Sequence, residues 1–217
     1  MKRRDFGQYC GVARALELVG ERWALLIVRD LLVRPRRYTD LQENLSGIPT
    51  NVLSTRLKEL EQAGVVERQV APAPQRGVVY ALTADGQGLE PAILALGRWG
   101  AVHLGDPQPG DRISVEGVTL NLRSSFQPAE AVGVTASFEI HARDMVLHAI
   151  VADGELTTGV GPAPGKPDLT ITAHLADDEL ASYRAIVRAV RDGRAELAGR
   201  RELVDTFLRL FIVLQPA

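Results

Sequence analysis

Across residues 12–64 apolar positions recur at three- and four-residue intervals, separated by the residue types that end helices. Residues 12–19 predict a first amphipathic helix. Residues 23–33 are apolar nearly all round, as suits a helix buried at the centre of a small domain, and Pro35 stops it. Thr39 followed by Gln42 has capping-box spacing and predicts a short helix over 40–45, with Ser46-Gly47 as a turn. A longer helix then spans 50–63, with Leu53, Leu57 and Leu60 as its buried stripe and Gly64 as its C-cap. The period changes to short apolar runs at 65–70 and 78–82, which predict two strands joined by a proline-rich loop at 71–74. Thr83 caps a final helix reaching His103, with Leu89, Ile93, Leu96 and Trp99 or Gly100 on one face. This order of elements predicts a winged helix, in which the short helix and the longer one after it would read DNA.

Beyond that point the pattern is different. Two prolines and two glycines within 105–111 cannot continue a helix or pair in a sheet, so they predict a linker between a domain at 1–104 and another at 112–217. Residues 113–122, 134–142, 145–151, 155–160 and 168–173 read as strands, with turns at Arg143-Asp144 and Asp153-Gly154. A helix over 177–191 would place Leu180, Tyr183, Val187 and Val190 on one face, and a strongly apolar helix over 200–214 would end the chain. The predicted fold class is α+β: a winged helix-turn-helix followed by an antiparallel five-stranded sheet covered by helices.

Composition narrows this picture only in part. The 217 residues suit two domains, and 46% hydrophobic with 24% charged residues is the balance of a folded globular chain. A net charge of −2 is uninformative about nucleic acid, but its distribution is not. Residues 1–104 carry 14 Lys and Arg against 11 Asp and Glu, whereas 105–217 carry 11 against 16, so a DNA partner would sit on the first half. The basic start is followed by no apolar stretch of signal-peptide length, and the most apolar segment, 203–214, is interrupted by Asp205 and Arg209. A single cysteine excludes an internal disulfide. These features predict a cytoplasmic protein with no membrane partner.

Several stretches resemble the HxlR family of bacterial winged-helix regulators: Tyr9-Cys10-Gly11-Val12, Gly20-Glu21-Arg22-Trp23, Pro35-Arg36-Arg37-Tyr38-Thr39-Asp40-Leu41, Gly47-Ile48 ahead of Leu53-Ser54-Thr55-Arg56-Leu57-Lys58-Glu59-Leu60, and Tyr80-Ala81-Leu82-Thr83. The resemblance runs over about 9–104 without a gap. It implies a DNA-binding dimer that regulates transcription, often in response to reactive small molecules. The chain departs from the pattern at Gly11, where relatives carry proline after the early cysteine, and at Pro49, where they place Ser or Thr. Proline is acceptable in a first helical turn, so the second change leaves the helix intact while altering the phosphate contact that a capping hydroxyl would make. Residues 111–217, through Pro167-Asp168-Leu169-Thr170-Ile171-Thr172 and Gly193-Arg194-Ala195-Glu196-Leu197, resemble the sterol carrier protein type 2 superfamily. That resemblance implies an apolar ligand held between sheet and helices.

Candidate functional residues follow from both lines. With the leucine stripe buried, steps of 100° per residue put Asn51, Ser54, Thr55 and Lys58, with Thr50 at the helix start, on the outer or flanking faces. They suit base edges and phosphates, or simply a solvated face. Arg56 lies beside the stripe, within reach of a phosphate or of its own domain. Arg68 and Arg76 flank the wing and suit phosphate or minor-groove contact. Arg36 and Arg37, with Arg34, form either a backbone clamp or an ordinary charged turn. Cys10 is either a redox sensor in the positive field of Arg3, Arg4 and Arg14 or a small buried hydrophobe. The four histidines lack metal-ligand spacing, and no nucleophile elbow, phosphate loop or dinucleotide fingerprint occurs, so neither a metal, a cofactor nor an enzymatic activity is expected. Tyr183, Val187, Phe207, Leu208 and Phe211 would line an apolar cavity or fill a core. A homodimer would use the first helix and the closing helix through Trp99. The rival reading is a lipid-binding or carrier protein whose winged helix is a protein-interaction module.

Overall fold

Leucine spacing and capping residues set the elements of the first half. The computed structural model of the chain describes residues 6–71, 76–108 and 110–213. The chain divides into two compact units, Met1–Ile93 and Leu94–Ala217; the division falls ahead of the segment 105–111. The predicted loop at 72–74, the side chains of Arg3 and Arg4, Pro109 and the end of the predicted last helix at Leu214 lie outside the described residues.

The first unit runs α1 (Gly11–Val19), α2 (Ala24–Val33), α3 (Tyr38–Asn44), α4 (Thr50–Gln62), β1 (Val66–Val70), β2 (Val78–Leu82) and α5 (Ala84–Gln87), and α6 (Glu90–Ala101) follows. Ile27, Val28 and Leu31 of α2, Leu41 of α3 and Leu53, Leu57 and Leu60 of α4 are all buried. Gly64 takes a φ of 76° just past α4, the left-handed conformation that glycine adopts without steric cost. The wing strands pair antiparallel from Val66↔Leu82 to Val70↔Val78. A bridge between Arg36 and Tyr80 adds a short third strand, the Arg36 N–H donating at 2.9 Å and the Tyr80 N–H returning at 2.7 Å.

Two boundaries differ from the sequence expectation. The α3 helix opens at Tyr38 because the backbone N–H of Arg37 donates to the Asp40 carboxylate at 3.1 Å, a cap set ahead of Thr39 and Gln42. The closing helix is broken into α5 and α6. Thr83 does cap its start, accepting from the Gly86 N–H at 3.0 Å. Pro91 then has no N–H for the Gln87 carbonyl and its ring clashes with it, so the ladder is interrupted there. Ile93 of α6 is buried, whereas Leu96 and Trp99 are 51% and 67% exposed.

The second unit adds α7 (Val115–Ser125), a 3-10 turn (Pro128–Ala131), β3 (Thr135–Ala142), β4 (Met145–Ala152), β5 (Glu155–Val160), β6 (Leu169–Ala173), α8 (Tyr183–Arg191), β7 (Ala195–Gly199) and α9 (Leu203–Leu210). Residues 113–122, expected as a strand, are therefore largely helix. Val118, Leu120 and Leu122 alternate as a strand would, but Val115, Val118 and Leu122 also fit a helix, and the Ser114 hydroxyl, accepting from Gly117 N–H at 3.1 Å, fixes the helical start. The fifth strand is β7 instead. The α8 helix begins at Tyr183 rather than near 177, because the guanidinium of Arg143 donates to the carbonyls of Ala176, Asp177 and Glu179, holding that stretch as a loop.

The sheet order is β5-β4-β3-β6-β7. It is mixed rather than antiparallel, since β3 and β6 run parallel, Phe138↔Leu169 to Ala142↔Ala173. Residues 161–168 carry three prolines and cannot form another hairpin; they return along the sheet, which is the crossover that a parallel neighbour requires. Ala136, Phe138, Ile140, Leu147, Ala149, Val151, Leu169 and Ile171 point into one core with residues of α7, α8 and α9. The opposite face carries Ser137, Glu139, His141, His148 and Thr170, all partly exposed.

Two carboxylates pin the crossover. Glu139 accepts the Ala163 N–H at 2.8 Å and lies 2.7 Å from His141 Nε2, while Asp168 accepts the Ser137 N–H at 2.8 Å and its hydroxyl at 2.9 Å. The Ala163 amide, then His141, hold the Glu139 carboxyl below its ordinary value; the Ser137 amide and hydroxyl do the same for Asp168. Both folded values lie below the unfolded ones. Their stabilisation is complete above the unfolded carboxylate range and is lost as pH falls through the depressed folded values. The second unit should therefore lose stability below about pH 4, as followed by circular dichroism. Glu139→Gln should flatten that acid limb, and an unaltered limb would contradict this account of the crossover.

Candidate nucleic-acid interface

The α4 helix turns Leu53, Leu57 and Leu60 inward towards α1 and α2, which leaves Thr50, Asn51, Ser54, Thr55 and Lys58 exposed. Those five residues form one polar surface along the helix. Thr55 donates its hydroxyl proton to the Asn51 carbonyl at 2.8 Å. Tyr38 and Gln42 of α3 reach the first turn of α4 and hydrogen-bond Thr50 and Ser54. Sequence reasoning missed these two, because nothing in a linear pattern reveals which α3 side chains meet the start of α4.

The predicted arginines have diverse placements. Arg56 is half-buried, paired with Glu21 at 3.3 Å and with Glu59, so its guanidinium ties α4 to the entry of α2. Arg68 pairs with Glu61 at 2.7 Å and lies over the Tyr80 ring, 5.5 Å from its centroid. Arg36 combines its strand bridge with a 4.0 Å approach to Asp40. Arg37 donates to the Arg76 carbonyl at 2.7 Å, joining the start of α3 to the wing loop, where Arg76 itself is exposed. Arg34 is exposed in the turn before them.

Cys10 is exposed immediately before α1. The backbone amides of Ala13, then Val12, hold its thiol below the ordinary cysteine value, with burial opposing only weakly. In the second unit Tyr183, Val187, Phe207 and Phe211 are buried and Leu208 is partly buried. Phe207 lies 5.0 Å from Phe211 and 5.4 Å from Phe138, ring centroid to centroid. Tyr183 donates to the Ile212 carbonyl at 3.2 Å, and burial pushes its phenol up. Among the described residues no helix is long and apolar enough to cross a membrane.

A polar outer face on the second helix of a helix-turn-helix, followed by a two-stranded wing, is the layout of the winged helix-turn-helix class. The pattern of the HxlR-like helix-turn-helix family matches residues 18–108. HTH-type transcriptional regulator YodB of Bacillus subtilis is 36% identical over 102 residues, covering 47% of this chain and 88% of YodB. The uncharacterised HTH-type transcriptional regulator Mb3122 of Mycobacterium bovis is 43% identical over 97 residues, 45% of this chain. The chain spans 61% of the length of that relative. Among solved structures, the redox regulator HypR in its oxidised form aligns with a TM-score of 0.40 at 29% identity, covering 45% of this chain and 100% of HypR. The chain belongs to the HxlR-like helix-turn-helix family.

Proposed function

We propose that the protein is a cytoplasmic, non-enzymatic transcriptional regulator that binds a palindromic operator in double-stranded DNA as a homodimer. The observation that carries this reading is the exposed Thr50, Asn51, Ser54, Thr55 and Lys58 surface on α4 of an HxlR-like unit. Lys58 supplies charge for phosphate, and Asn51 has the paired donor and acceptor that adenine presents in the major groove. Arg37 and Arg76 serve the backbone at the wing. Arg36, Arg56 and Arg68, with partners inside the unit, contribute chiefly by fixing α3, α4 and the wing. Dimerisation uses the exposed apolar side chains Tyr9, Val12 and Leu16 at α1 and Leu96 and Trp99 of α6.

In this reading residues 1–104 bind DNA and the partner, 105–111 link, and 112–217 form a sterol-carrier-like domain that tunes the first by taking up an apolar small molecule. Support for that last element is the convergence of Tyr183, Val187, Phe207, Leu208 and Phe211 on one side of the sheet. Native mass spectrometry of the full chain with a palindromic duplex from beside its gene tests the assembly. Two chains per duplex, with any co-purified apolar compound in the same spectrum, is the expected result. One chain per duplex would remove the homodimer, and no complex would favour the carrier reading.

Cys10 is the redox-responsive group of this regulator, through an exposed thiol that the backbone amides bias towards thiolate. Mild oxidant should change operator affinity in the wild-type chain and leave Cys10→Ser unaffected. Equal behaviour of the two in a mobility-shift titration would make Cys10 a structural residue.

A further inference from the structure

At the start of α4 the Tyr38 hydroxyl donates to the Thr50 carbonyl at 2.8 Å and lies 3.1 Å from Ser54 Oγ. Ser54 Oγ is also 3.0 Å from that carbonyl. Gln42 Nε2 donates to Thr50 Oγ1 at 2.8 Å. A hydroxyl has one proton and two lone pairs, so these contacts have directional consequences. The Ser54 proton has two acceptors inside the cluster, the Thr50 carbonyl and the Tyr38 oxygen. With its proton engaged inside the cluster, Ser54 Oγ is left as an acceptor. Thr50 is the opposite case: Gln42 occupies a lone pair, and the hydroxyl proton remains to be donated.

We propose that Tyr38 and Gln42 are positioning residues for sequence reading, which fix Thr50 as a donor to a phosphate oxygen and Ser54 as an acceptor from the exocyclic amino group of an adenine or a cytosine. Both act through the α4 hydroxyls and neither touches a base. The major groove is where those amino groups are displayed, and the N-terminal part of a recognition helix is what meets them. The proposal rests on the DNA reading above, and it assigns a chemical polarity to that reading.

The test uses the full chain, its Tyr38→Phe, Ser54→Ala and Gln42→Ala variants, and a randomised duplex pool followed by every single-base variant of the selected sequence. Ser54→Ala identifies the base pair that Ser54 reads. A duplex whose base at that position lacks its exocyclic amino group should bind the wild-type chain about three- to tenfold more weakly, the worth of one hydrogen bond. Tyr38→Phe leaves the Ser54 proton only the Thr50 carbonyl inside the cluster, so it should lose part of the discrimination at that same base pair alone, with its salt slope unchanged. Gln42→Ala should weaken binding evenly across sequences, as a misdirected phosphate contact would. A uniform loss in Tyr38→Phe would make Tyr38 a phosphate ligand and overturn the proposal. So would unchanged base preferences, indifference to the amino group, or a position-specific effect of Gln42→Ala. A wild-type chain that binds DNA tightly with the predicted salt dependence but prefers no base would overturn this inference and leave the winged helix as a non-specific binder. A chain that does not bind at all would overturn the DNA reading as well.

Discussion

Replacing Phe207 with alanine should destabilise the second unit by about 3–5 kcal/mol, the usual cost of emptying a buried phenylalanine site. Phe207 is fully buried, with the rings of Phe211 and Phe138 against it at 5.0 and 5.4 Å and Phe126 continuing the cluster at 5.7 Å from Phe211. The truncation removes those contacts from both neighbours, and the surrounding strands β3, β4 and β6 have little freedom to close the gap. In calorimetry of the full chain, the transition belonging to residues 94–217 should fall. A loss well under 1 kcal/mol would show that the aromatic cluster readily repacks around a void. That result would favour the apolar-ligand role proposed for Phe207 and Phe211 over a filled core.

Leu57→Ala and Lys58→Ala, adjacent in sequence, should have opposite readouts. Leu57 is 1% exposed on the face of α4 that turns towards α1 and α2, so its truncation should cost about 2–5 kcal/mol in urea unfolding. A loss of that size is a large part of a small domain's total stability and would melt the reading helix along with the rest of its unit. Lys58 stands on the outer face, where substitutions usually stay within about 0.5 kcal/mol. Its effect should appear in DNA affinity instead. Equal destabilisation by the two changes would mean that α4 is rotated from the placement described here.

What could be read from the sequence follows from how local each signal is. Leu53, Leu57 and Leu60 recur with the helical period, so α4 and its outward face at Asn51 and Lys58 were legible within a dozen residues. The turns at Arg143 and at Asp153-Gly154 were legible for the same reason, with φ of 55°, 51° and 87° marking the left-handed positions. The α7 helix was not, because Val118, Leu120 and Leu122 satisfy the strand period while Val115, Val118 and Leu122 satisfy the helical one. Only the Ser114 cap decides between them. The parallel pairing of β3 with β6 joins Ile140 to Ile171, and no local pattern announces such a partner.

The site divides in the same way. Which residues face outward on α4 depends on local periodicity and was accessible. Which guanidiniums are held inside the unit depends on tertiary partners: Glu21 for Arg56 and Glu61 for Arg68. Basic residues beside a reading helix look alike in sequence whether they face phosphate or a carboxylate of their own fold. The Tyr38 hydroxyl is a further case, since its contacts with Thr50 and Ser54 exist only once α3 and α4 are packed.

The central claim, that α4 reads DNA, is tested most directly by the salt dependence of binding to the palindromic duplex from beside the gene and to a scrambled duplex. The wild-type chain should prefer the palindrome by about three orders of magnitude or more, with affinity falling linearly against salt on logarithmic axes. Lys58→Ala should lower that slope by about one unit for each Lys58 engaged with phosphate, while sparing the preference. Equal affinity for the two duplexes, or a slope that Lys58→Ala leaves untouched together with unchanged affinity, would contradict the assignment of this face.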